Sequence, residues 1–219
     1  MVVPLDLPLA DTSDMIGLHC VFREALEAAP TLVAGAPDDD AARADMVGSY
    51  YANVLDLLHG HHEGEDELLT PRLLERAPEH AETITRIAGQ HQAVLATLGD
   101  AEQAIAAWRA SPSADSRDTA AAALAALESE LVTHLDDEER EILPIAAQCI
   151  NVVEWGELPA HGMKCFRGDK MWLIIGLVQE QMTASQKAEM EAHMPPPLLE
   201  FWNGPGHGMF DAYVTDLRG

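Results

Sequence analysis

From Asp11 to about Ile150 apolar residues recur at helical spacing, and chain breakers divide the region into four amphipathic segments of similar length. The first carries Met15, His19, Phe22 and Leu26 and ends near Pro30 to Pro37. The cap-rich run Asp38-Asp39-Asp40 opens the second, whose stripe reads Met46, Tyr50, Val54, Leu57, His61, Glu65 and Leu68 before Ala77-Pro78 closes it. The third runs through Ile84, Ile87, His91, Val94, Leu98, Ala101, Ile105 and Trp108 into the polar stretch SPSADSRD. The fourth starts rich in alanine and carries Leu124, Leu127, Leu131, His134, Glu138 and Ile145. Short connections between four such helices predict an all-α fold, an up-down-up-down four-helix bundle over residues 11–150. Residues 151–219 read as a C-terminal extension of short, proline-broken helices with Trp155, Trp172, Trp202 and a glycine-rich turn around His207. Too broken for a core of its own, the extension is expected to pack on the bundle as a cap.

Composition bounds the partners. With 37 acidic against 13 basic residues the formal charge is −24, so nucleic acid and anionic membrane would be approached against a like-charge field, and cations are the natural ligands. Ten histidines add imidazole donors. Cys20, Cys149 and Cys165 have no CxxC spacing, which points to neither a disulfide framework nor a thiolate zinc site. The opening MVVPLDLPLA lacks the layout of a signal peptide and the longest apolar run, Met171 to Val178, is too short to span a bilayer, so a cytoplasmic protein is expected.

The candidate chemistry lies inside the apolar stripes, where an unpaired polar group is costly. His61-His62-Glu63-Gly64-Glu65-Asp66-Glu67-Leu68-Leu69-Thr70-Pro71 aligns with His134-Leu135-Asp136-Asp137-Glu138-Glu139-Arg140-Glu141-Ile142-Leu143-Pro144. Each copy has a histidine, a glutamate four residues on, a second acid beside it, and a proline ten residues after the histidine. A spacing of four puts imidazole and carboxylate one turn apart on one helix face, within reach of one metal, and the proline is expected to kink the helix. Upstream, His19 precedes His61 at nearly the interval by which His91 precedes His134, so a helical hairpin is used twice. Midpoints between successive histidine positions fall at residues 40–42, 76–78 and 112–114, on the predicted turns, which places all six side chains at one level of the bundle. Four imidazoles and two carboxylates form a ligand set for two metal ions, with the glutamates as bridges, and nitrogen and oxygen donors without thiolate suit Fe, Mn or Zn.

On these motifs the chain resembles the hemerythrin-like (HHE cation-binding) family over roughly Asp14 to Ala147; the tail is similar in style to C-terminal extensions on actinobacterial members. The resemblance implies a non-haem centre of two iron ions, joined by an oxo or hydroxo bridge, that meets O2 or its reduced forms. His19, His61, His91 and His134 are then terminal ligands and Glu65 and Glu138 bridge. One departure stands out: hemerythrin has a second histidine one turn from the third-helix ligand, whereas Ile87 and Leu95 flank His91 here. A missing imidazole would leave one iron more open, which favours peroxide removal (a catalase-like di-iron oxidoreductase) over O2 carriage. An O2 or iron sensor or carrier without turnover and a structural dizinc bundle are the rivals. His59, His62 and His80 sit beside the stripes and read as surface residues, although His62 pairs with Asp66 at the same spacing of four and keeps a claim as a ligand. Tyr50 reads first as core, with Tyr50, His161 and His207 the other candidates for a missing ligand. O2, H2O2 or another small oxidant is the expected partner, with no expectation of nucleic acid, membrane or a particular protein.

Overall fold

In the computed structural model, which describes residues 7–219, the chain is helical from Ser13 to near its end. Met1 to Asp6, part of the stretch weighed above as a leader, lies outside the described residues. Four antiparallel rods form the bundle. α1 is Ser13–Glu27; α2 is Ala41–Gly64, continued by a wider π turn at Glu65–Leu69 and by α3, Thr70–Arg76; α4 is Ala81–Ala110; and α5 is Ala114–Asp137, continued by a π turn at Glu138–Ile142 and by α6, Leu143–Cys149. The extension comprises α7 (Val152–Trp155), α8 (Glu157–Cys165), α9 (Met171–Glu180), α10 (Ala184–His193), α11 (Pro196–Phe201) and α12 (His207–Arg218). No described helix is long and apolar enough to cross a membrane.

Helix starts follow the local chemistry. Asp40 caps α2 by accepting from the Arg43 amide at 2.9 Å, and Asp39 before it takes the left-handed conformation, φ 60°, that aspartate tolerates. Ser113 with Ser116, and Asn151 with Glu154, form reciprocal capping boxes at α5 and α7.

The core is in two parts with a polar layer between them. Phe22, Leu26, Tyr51, Val54, Leu58, Val94, Leu98, Leu127 and Leu131 belong to the larger cluster, which the extension joins through Leu173, Ile175 and Phe210. Met15, Leu69, Leu73, Ile84, Ile87, Ile142, Ile145 and Trp155 form the smaller. Each lone histidine sits at the seam: His19 lies between Met15 and Phe22 along α1, and His91 between Ile87 and Val94 along α4. The extension packs on α2, with α8 and α9 both touching it. Glu154 anchors the extension's start by receiving two bonds from the Arg76 guanidinium, at 2.5 and 2.6 Å. The described N-terminal segment pairs there as well, Val152 donating to the Pro8 carbonyl at 3.0 Å.

Candidate metal centre

The two repeated motifs end their α-helices in the same way. Thr70 N–H reaches back five residues to the Glu65 carbonyl, and Leu143 N–H likewise to that of Glu138. Pro71 and Pro144 follow directly. A proline ring cannot sit against the carbonyl four residues before it, and one widened turn relieves that clash while the helix continues. The expected kinks are therefore π turns, and each opens on the glutamate of its HxxxE pair.

His19, His61, His62, Glu65, His91, His134 and Glu138 are all buried and meet at one level between the rods. Their donor atoms fall into two sets, each mutually within 4.8 Å: His62, Glu65, His91 and His134 in one, and His19, His61, Glu65 and Glu138 in the other. Glu65 belongs to both. Its Oε1 is 3.3 Å from His61 Nε2 and its Oε2 is 3.5 Å from His91 Nε2. Glu138 Oε2 also faces both sets, 3.5 Å from His19 Nε2 and 3.7 Å from His134 Nε2.

Whether metal ions fit here is decided by what the donors lack. His19, His61 and His134 Nε2, both nitrogens of His62, both oxygens of Glu65 and Glu138 Oε2 are buried without a hydrogen-bond partner. Each such atom costs about 1–3 kcal/mol when nothing meets it, and two cations at the shared carboxylates would satisfy all of them but one ring nitrogen of His62, since an imidazole offers one nitrogen to a given metal. The ring nitrogens facing outward are held instead. His19 Nδ1 lies 2.8 Å from Glu139 Oε1, His91 Nδ1 2.7 Å from Asp66 Oδ1, and His134 Nδ1 3.2 Å from Gln90 Oε1. Carboxylate and amide oxygens only accept, so Nδ1 carries the proton and leaves the Nε2 lone pair free for a metal.

Electrostatics agrees. Burial, reinforced by the neighbouring imidazoles, holds His61 and His62 well below the ordinary histidine range and pulls His134 down to about 3. Burial and the Glu138 carboxylate push the Glu65 carboxyl well up. The pocket keeps these three imidazoles neutral and penalises the Glu65 charge unless positive charge enters.

A family model for the hemerythrin HHE cation-binding domain matches residues 15–146. The chain belongs to the hemerythrin HHE cation-binding family. Neither the curated proteins nor the solved structures yield a match to it. Membership accounts for the helical bundle and for a cation-binding centre with His/Glu clusters, typically one of iron.

The structure corrects one expectation and relocates three residues. His62 is fully buried in the centre and is not a surface residue. Sequence periodicity treats α2 as amphipathic with a single inward stripe, but α8 and the segment leading into α9 cover a second face, so Asn53, Gly60 and Gly64 are buried too. A signal was present: the repeat aligns His62 with Leu135, itself a buried core residue. With His62, the hemerythrin-like centre has five imidazoles, divided three and two between the sets. Tyr50 lies eleven residues before His61, about 16 Å along the helix, and lines a separate cavity with Glu24 and Arg218. His207 is exposed and packs on the Trp202 ring, centroids 3.9 Å apart. His161 sits outside the centre, over the end of α2, beside Glu63 and Cys165.

Proposed function

We propose that this hemerythrin-family chain holds two iron ions through His19, His61, His62, His91, His134, Glu65 and Glu138, and that the centre binds or reacts with O2 or H2O2. The observation that carries the reading is the combination of that donor set with the space beside it. A cavity of about 10 Å³ is bounded by Glu65, His91, His134 and Glu138 and otherwise lined mostly by Leu69, Leu73, Ile84, Ile87 and Ile142. Roughly 10–15 Å³ holds one water, so the space suits a small oxidant better than an organic substrate.

A pair of iron ions supplies two-electron redox chemistry when bound. The protein's own part is to orient and to exclude. Asp66 and Glu139 keep the His91 and His19 rings in the tautomer that presents Nε2. The Leu and Ile side chains of the smaller core keep bulk water from the cavity. A fifth imidazole removes the vacancy that had favoured peroxide removal on ligand count alone. Catalase-like turnover therefore rests on the cavity's size and on the centre's two-electron capacity, and reversible O2 binding uses the same arrangement without turnover.

The deciding measurement is metal analysis of protein purified without added metal, followed by anaerobic optical spectra before and after O2 and H2O2. Two irons per chain and new near-ultraviolet and visible absorption on adding either oxidant are expected. Sustained gas evolution from peroxide assigns turnover; a spectral change reversed by removing O2 assigns carriage or sensing. A colourless protein containing two zinc ions and silent to both oxidants would sink the di-iron reading in favour of the structural dizinc bundle.

A further inference from the structure

Beside the dinuclear centre, on the outer face of α2, a second cluster of metal-binding side chains joins the bundle to the extension. Its parts come as two pairs, each with a spacing of four: Glu63 and Glu67 at the end of the α2 rod, and His161 and Cys165 on α8. His161 Nε2 lies 3.3 Å from Cys165 Sγ and 3.8 Å from Glu63 Oε2, while His161 Nδ1 lies 4.0 Å from Glu67 Oε2. The donor atoms of Glu63, His161 and Cys165 are all within 4.8 Å of one another. Glu63 Oε2 is shielded from solvent and accepts no hydrogen bond. Gly64 of α2 is the tight point of the approach, and Gly60 lies in ordinary contact range. A Cβ at Gly64 would meet His161 Cδ2 at 3.3 Å, and one at Gly60 would meet Cys165 Cβ at 3.9 Å.

The geometry points to a third metal site, a mononuclear one for a borderline divalent cation such as Zn2+, held by Glu63, His161 and Cys165. Tetrahedral zinc with its usual bond lengths sets the edges of its donor polyhedron at about 3.6 Å for sulfur to nitrogen and about 3.4 Å for nitrogen to oxygen. The observed separations of 3.3 and 3.8 Å lie within a few tenths of an ångström of those edges. One thiolate, one imidazole and one carboxylate are a donor set that zinc accepts and that magnesium or calcium does not favour. The fourth position falls to water, since Glu67 faces Nδ1, on the other side of the His161 ring. A metal here ties α8 to the turn that carries His62 and Glu65.

The site is told apart from the dinuclear centre by sulfur, because the centre's donors are nitrogen and oxygen only. The test adds Co2+ to the full-length chain after its dinuclear centre has been loaded with iron, and reads the near-ultraviolet thiolate-to-cobalt charge-transfer band together with metal per chain. One additional cobalt with that band is expected, displaced by Zn2+, lost in Cys165→Ser and weakened at least tenfold in affinity in His161→Gln. Cys149→Ser should leave it unchanged. Melting curves of the variants without added Co2+ establish that they fold. No band in the wild-type chain, or a band that survives in folded Cys165→Ser, overturns the site. Because the band needs only the thiolate, the result is readable even if the dinuclear centre proves to hold no iron.

Discussion

Asp66 and Glu139 each directly follow a glutamate of the centre, and each holds the Nδ1 proton of a histidine on a different rod. Asp66, in the first hairpin, holds His91 of the second; Glu139, in the second, holds His19 of the first. The acid pair in each motif thus divides its work, one carboxylate turned inward to the donor sets and one fixing an imidazole. His62 breaks the symmetry, since its counterpart in the repeat is Leu135. That single difference gives one set three imidazoles and the other two. Substitution His62→Ala should therefore lower bound metal by at least half, as should His91→Ala, while His59→Ala, beside the stripe, should leave it unchanged. Metal analysis after dialysis checks this, and full occupancy in His62→Ala would return His62 to a packing role.

At the scale of helices, the decisive fact is that α2 is covered on two faces. The bundle takes one and the extension takes the other through α8 and α9. α9 is itself seated by close packing: a Cβ at Gly176 would fall 2.2 Å from Cδ2 of the buried Phe210 ring on α12. Overpacking of this kind costs about 1–3 kcal/mol. Gly176→Ala should lower stability by that amount in urea unfolding yet keep the wild-type metal content, because the contact lies in the larger core, away from the histidine layer. Loss of metal with unchanged stability would show that the extension governs the centre directly. The stripes of α1, α4 and α5 were legible in sequence because each buries one face, and every residue read on them is buried. On the α2 rod the stripe holds at Tyr50, Val54, His61 and Glu65 but misses by one position elsewhere: Met46, Leu57 and Leu68 are only half-buried, while Val47, Leu58 and Leu69 are buried.

For the whole molecule, the polar layer between two apolar cores makes stability depend on pH and on metal together. In the metal-free chain His61, His62 and His134 stay neutral where the unfolded chain protonates them. Stability should therefore fall as pH drops below their ordinary value of 6.5, for His134 down to about 3. Glu65 acts oppositely: its carboxyl is raised, so its contribution is present below the ordinary value of 4.5 and is lost as pH rises through the raised value. Metal binding needs that carboxylate ionised and releases its proton. The rise in Tm on loading should grow as pH rises above 4.5, the ordinary value of the carboxyl, towards neutrality. A gain that is flat across that range would show that Glu65 does not ligate.

By itself the sequence determined the four rods, the repeated hairpin, and the level at which His19, His61, Glu65, His91, His134 and Glu138 meet, because helical period and turn position are local quantities. Only the tertiary structure decided that His62 joins them, that each proline is met by a π turn, and that Tyr50 and His207 stay apart while His161 turns to Glu63 and Cys165. Those outcomes depend on which second surface covers a helix and on contacts between residues far apart in the chain, and no periodicity along one strand of sequence records either.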